Sequence, residues 1–223
     1  MRIDHHPEAP SGPPRGLFQD TVDGFVYSWN NRAIRLLLLL AVVSALLLRP
    51  IIDLMPAFVG DVLEQGPVTL AWLLSSTGAT ALAASLWLAR RNNTDGLTRY
   101  MLAASAASAI TIFAFAWQTN LVLGVVLMAV FGFTMSVMNV SNMSLVQIGL
   151  EDRMRARVMG TYSLSFRLVP AVGALIVGTS GTLVSLPVPV SVAAALSLLF
   201  WVWMVRAVGR QDLEVSPAVA NQV

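Results

Sequence analysis

The chain has 223 residues, 56% hydrophobic and only 12% charged, with a mean hydropathy of +0.71, which excludes an ordinary soluble domain. All 14 basic residues are arginine, against 12 acidic ones, so the pI of about 9.7 reports where arginines sit and nothing about lysine. There is no cysteine, which excludes disulfides, thiolate metal sites and cysteine nucleophiles.

Residues 1–16, MRIDHHPEAPSGPPRG, carry four prolines and no apolar run. They read as a flexible linker, since a signal peptide would follow its positive start with an apolar segment. His5 and His6 are the only histidines and lie there, so no metal site is expected. Residues 17–31 place Phe18, Val22, Phe25 and Trp29 at helical spacing on one side, with Asp20 and Asp23 off that stripe. That pattern predicts an amphipathic helix lying in the membrane interface.

Residues 32–207 hold six apolar runs, each long enough as helix to cross the ~30 Å hydrocarbon core. The first, Leu36 to Val59, contains Arg49, Pro50, Asp53 and Pro56 in its outer half. Charges at that depth cost about 2.5–3.5 kcal/mol on insertion scales, so they face a bundle interior or a wet cavity. Arg49 and Asp53, four apart, are either an internal ion pair or members of a transport pathway. The second run is Val68 to Ala89, followed by a polar loop with Arg90 and Arg91. The third is Tyr100 to Trp117, where Ala103, Ala104, Ala107 and Ser108 offer close helix packing.

After the turn Gln118–Asn120 the fourth run, Leu121 to about Leu145, carries a polar stripe: Ser136, Asn139, Met143 and Gln147, with Asn142 beside it. Asparagines in hydrocarbon need partners, so this face lines a cavity or bonds to other helices. Met128, Met135, Met138 and Met143 add polarizable surface suited to varied apolar ligands. A loop from Glu151 to Arg157 is expected next, holding Asp152, Arg153, Arg155 and Arg157. The fifth run, Val158 to Leu183, contains Arg167 roughly 14 Å from its start, against ~20 Å for Arg49 in the parallel first run. The sixth is Val188 to Val205, and residues 208–223 form a polar tail.

With a cytoplasmic N-terminus, twelve of the fourteen arginines fall on inner segments and none on the three outer loops. This is the positive-inside pattern. It predicts both termini in the cytoplasm of a multi-pass cell-membrane protein, and it removes nucleic acid from the candidate partners.

FQDTVDGFVYSWNN followed by RAIRLLLLL, then LRPIIDLMPAFVGDVL and NVSNMSLVQIGLEDRMRARVMGTYSLSFR, resemble the second half of a major facilitator superfamily exporter. The similarity is to the secretion-effector branch that includes enterobactin and macrolide exporters. The resemblance implies two six-helix bundles, proton coupling and a substrate cavity between the bundles, of which this chain matches the C-terminal one. The predicted architecture is an all-α membrane protein, a six-transmembrane-helix bundle preceded by an amphipathic interfacial helix. The predicted function is half of an exporter of small amphipathic, drug- or siderophore-like molecules, partnered by the bilayer and a second bundle from a separate chain or a homodimer. Arg49, Asp53, Asn139, Asn142 and Arg167 are the expected pathway residues. Arg90, Arg91, Asp152, Arg153, Arg155 and Arg157 are expected in cytoplasmic gating loops, although LARRNNTDGLTRY lacks the family's glycine-rich pattern. No cofactor and no enzymatic activity are expected, because no catalytic set of His, Asp and Glu gathers. The alternatives are the membrane subunit of an ATP-driven permease, whose ATPase would be a separate chain because this one has no lysine for a Walker-A motif, and a non-transporting remnant.

Overall fold

The computed structural model describes residues 29–91, 96–150 and 152–208, without the side chains at 152–157, 161, 164 and 165. The expected linker at 1–16, the interfacial helix up to residue 28, the loop at 92–95, Glu151 and the tail from 209 lie outside the described residues. Trp29 and Asn30 are helical and precede a capping residue.

Asn31 caps α1 (Arg32–Leu47), its Oδ1 accepting from the amides of Ala33 and Ile34 at 3.1 and 3.3 Å. The helix stops where Pro50 removes the donor for the Leu46 carbonyl. The Leu48 and Arg49 amides both fall on the Ser44 carbonyl instead, at 3.0 and 3.3 Å. The chain continues through α2 (Pro50–Asp53) and α3 (Met55–Ala57), with a break at Leu54 and Pro56 just beyond it, then a π-helical turn at Phe58–Val62. The first span is thus regular in its N-terminal half and broken in its C-terminal half, as its two prolines dictate.

The rest is α4 (Pro67–Ala89), α5 (Leu97–Ala116), α6 (Leu121–Ile148), α7 (Asp152–Val184) and α8 (Pro187–Val208). Among the described residues, six stretches have the length and apolarity to cross a membrane: Arg32–Asp53, Pro67–Ala89, Leu97–Ala116, Leu121–Ile148, Phe166–Val184 and Pro187–Val208. The expected loop from Glu151 to Arg157 is corrected: the backbone is helical from Asp152 onward. Arg, Met and Ala are strong helix formers and no glycine or proline interrupts them, so polarity there ends the membrane and not the helix.

The packing has an internal symmetry. The first span lies on the fifth and sixth, the fourth lies on the second and third, the third meets the sixth, and the first meets the fourth. Exchanging the first three spans with the last three maps these contacts onto one another, as two inverted three-helix repeats would, although the fifth span also packs on the sixth with no comparable contact between second and third. Two crossings bring backbones together. A side chain on Gly132 of α6 would strike the Thr77 carbonyl of α4, and one on Gly173 of α7 would strike the Leu46 carbonyl of α1. Polar groups tie the helices where water is absent. Ser85 and Ser136 hydroxyls lie 3.0 Å apart, Ser108 donates to Thr134 at 2.8 Å, and the Trp201 indole donates to the Leu102 carbonyl at 2.8 Å. Around them Phe58, Phe115, Phe131, Met128 and Met138 are fully buried.

Candidate functional site

A cavity of about 330 Å³ lies between α6 and α7, lined by Asn139, Val140, Met143, Tyr162, Ser163, Phe166 and Arg167. Val140, Met143, Ser163 and Arg167 are exposed, so it is open on one side. Tyr162 and Phe166, one turn apart on α7, stack with ring centroids 6.2 Å apart and planes within 12°. Behind them, against Leu38, Ala41, Val42 and Ala45 of α1, only about 10 Å³ remains, too little for more than one water. The rings therefore wall the cavity off from α1.

The two intramembrane arginines have separate environments. Pro170 lies inside α7 and cannot donate to the carbonyl four residues before it, that of Phe166. Arg49, in the turn between α1 and α2, donates from Nη1 to that carbonyl at 3.5 Å. Its guanidinium also sits over the Phe166 ring, 4.3 Å from the centroid. The contact puts Arg49 level with Phe166 and Arg167, correcting the depth offset read from a fifth span starting at Val158. Counted from Asp152, Arg167 is ~22 Å along its helix. Arg167 itself is exposed and, among the described residues, has no ion pair or hydrogen bond.

Arg49 and Asp53 do not pair. The break at Pro50 falls between them, so the one-turn spacing of a continuous helix is lost, and Asp53 is exposed at the end of the first span. The polar stripe of the fourth span divides as well. Asn139 and Met143 face the cavity, whereas Ser136 bonds toward α4. Asn142 is buried, its Nδ2 donating to the Leu37 carbonyl of α1 at 2.9 Å, while its Oδ1 has no partner among the described residues. Met128, Met135 and Met138 are core residues; Met143 alone of the four reaches the cavity. Sequence reasoning missed Tyr162, Ser163 and Phe166, although two aromatic rings at i, i+4 immediately before Arg167 were a visible signal.

At the ends of the helices, Arg90 caps α4 and is exposed. Arg91 lies over the rings of Trp87 at 5.2 Å and Tyr100 at 4.4 Å, joining α4 to α5 across the loop. Asp152, Arg153, Arg155 and Arg157 belong to the first turns of α7, and their side chains lie outside the described residues.

Residues 2–218 match the profile of the transmembrane secretion effectors, a branch of the major facilitator superfamily. The chain belongs to that family. No curated protein and no solved structure matches it. Membership in the secretion effector family makes the six-helix bundle a multi-pass membrane protein of a transporter lineage, and points to transport rather than to catalysis.

Proposed function

We propose that the bundle is one half of a proton-coupled exporter of small amphipathic, drug- or siderophore-like molecules, working against a second six-helix bundle, with its termini in the cytoplasm of a cell membrane. The observation that carries this is the composition of its uncovered faces. The α8 surface exposes Val188, Val192, Leu196, Leu199 and Trp203, large apolar side chains at helical spacing that suit lipid. The α7 surface, beside Leu168, Val172, Leu175 and Ile176, also exposes a stripe of Gly160, Ser163, Arg167 and Ala171, and α4, beside Val68, Trp72, Leu82 and Leu86, exposes Ala71, Ser75, Gly78 and Ala79. Small and polar residues suit the approach of another helix and are poorly matched to acyl chains. These two helices are also the least buried spans, 17% and 22% against 50% for α5. The cavity between α6 and α7 then becomes half of a central site, with Asp53 as the intramembrane carboxylate available to carry a proton and Asn142 as a packing residue.

The test is efflux from proteoliposomes with an imposed pH gradient, using the chain alone and the chain with a second bundle of the same family. Efflux of a fluorescent amphipathic probe is expected only with both bundles, and it should collapse with a protonophore. Efflux by the chain alone, shown monomeric by cross-linking, overturns the reading.

A further inference from the structure

We propose that the α6–α7 cavity is an anion-selective subsite, with Arg167 taking the carboxylate, sulfonate or similar group of an amphipathic aromatic cargo; this rests on reading the cavity as part of a transport path and gives that path a charge preference. Two arginines border the same wall and only one is spoken for. Arg49 is consumed by the Phe166 carbonyl that Pro170 leaves without its helical donor, and by the Phe166 ring. Arg167, the next residue along, lines the cavity, and among the described residues no acidic side chain lines it to neutralise that charge. An intramembrane cation without a counter-ion is costly, and the planar fork of a guanidinium fits a carboxylate bidentately.

The same wall disfavours a cationic cargo. An aromatic ring attracts a cation through its negative face, but one face of Phe166 already holds Arg49 at 4.3 Å. A second cation entering there would meet the charges of Arg49 and Arg167 and gain little from the ring. Beside the guanidinium, the Asn139 amide and the Ser163 hydroxyl supply neutral hydrogen bonds, and Tyr162 with Phe166 supplies a flat aromatic wall. The volume of about 330 Å³ lies at the small end of ligand pockets, enough for a one- or two-ring acid or one arm of a larger molecule.

The experiment is equilibrium dialysis of the full chain in lipid nanodiscs with three probes of one shape: 1-naphthoate, neutral 1-naphthamide and cationic 1-naphthylmethylammonium. Naphthoate is expected to bind about ten- to a hundredfold more tightly than the amide, with the cation weakest. Arg167→Gln should erase the preference while leaving amide binding within about twofold, and Arg167→Lys should keep part of it. Ser163→Trp, which fills the cavity from an exposed position, should abolish binding of both naphthoate and amide; it locates the site even if Arg167→Gln fails to fold. Equal binding of the three probes, preference for the cation, or a preference that survives Arg167→Gln or Ser163→Trp overturns the subsite. Binding is read without transport, so the two readings fail separately. Anion preference without efflux even when a second bundle is present refutes the transporter alone, whereas efflux of cations with no anion preference refutes the subsite alone.

Discussion

A proline inside a membrane helix leaves the carbonyl four residues earlier without its donor, and something other than water must replace it. In α7 the orphan is Phe166 and the replacement comes from Arg49, 117 residues away in sequence. This gives a prediction at single-residue resolution. Arg49→Leu should destabilise the bundle by about 1–3 kcal/mol, the sum of one hydrogen bond and one cation–π contact. Pro170→Ala restores the backbone donor, so in that background the cost of Arg49→Leu should fall by about 1 kcal/mol. Reversible unfolding of the four variants in mixed micelles measures the coupling, and strictly additive costs would show that Arg49 does not serve that carbonyl. The pairing was not legible in the sequence. Arg49 and Asp53 looked like an i, i+4 pair, and Pro50 between them was read as a feature of the span without its consequence for their geometry. Arg167 as an intramembrane cation was legible; its lack of a partner among the described residues was not, because that depends on where Arg49 reaches.

At the scale of the helix, the six spans could be read from hydropathy because lipid leaves the backbone no choice but to satisfy its own hydrogen bonds. Helix ends were less legible. The fifth helix begins six residues before the predicted Val158, since Asp152 to Arg157 is polar yet helix-forming. Asn31 and Asn120, by contrast, cap their helices as side chains of that type do, Asn120 accepting from the Val122 and Leu123 amides at 2.9 and 3.2 Å. The crossings at Gly132 and Gly173 were also hidden, because a glycine in an apolar run does not say which carbonyl it faces. Those crossings predict a contrast among chemically identical substitutions. Gly132→Ala and Gly173→Ala put a methyl group into the carbonyls of Thr77 and Leu46 and should each cost about 1–3 kcal/mol as the helices separate. Gly160→Ala and Gly78→Ala meet nothing within 4 Å and should be neutral or slightly stabilising, since alanine is the better helix former. Thermal unfolding of the four variants separates the classes. Equal shifts in all four would mean that the close crossings are not holding the bundle.

The whole molecule poses two questions, which way it lies in the membrane and what covers its small-residue faces, and the absence of cysteine lets both be asked with single introduced thiols. For orientation, Glu64 and Thr119 are exposed at one end of the bundle and Arg90 at the other. Cysteine at the first two should react with an impermeant maleimide added outside intact cells, and cysteine at Arg90 only after permeabilisation. The reverse pattern would invert the arginine-based topology. Gln118 is a poor probe for this, being buried beneath Gly124 with its amide unpartnered among the described residues. The covering of the faces can then be read inside the bilayer. Spin labels at Ala79 on α4, Ala171 on α7 and Leu199 on α8 all sit on exposed surface. In the chain alone, each should be accessible to oxygen, which concentrates in lipid. When a second six-helix bundle assembles with it, accessibility should fall at Ala79 and Ala171, where small residues let a helix approach, and stay unchanged at Leu199, whose neighbours Val192, Leu196 and Trp203 make a lipid surface. If Leu199 is protected and the other two are not, the second bundle docks on α8 and the α6–α7 cavity opens to lipid. If none changes while the bundles co-purify, they meet on some other surface and the cavity is not half of a shared site.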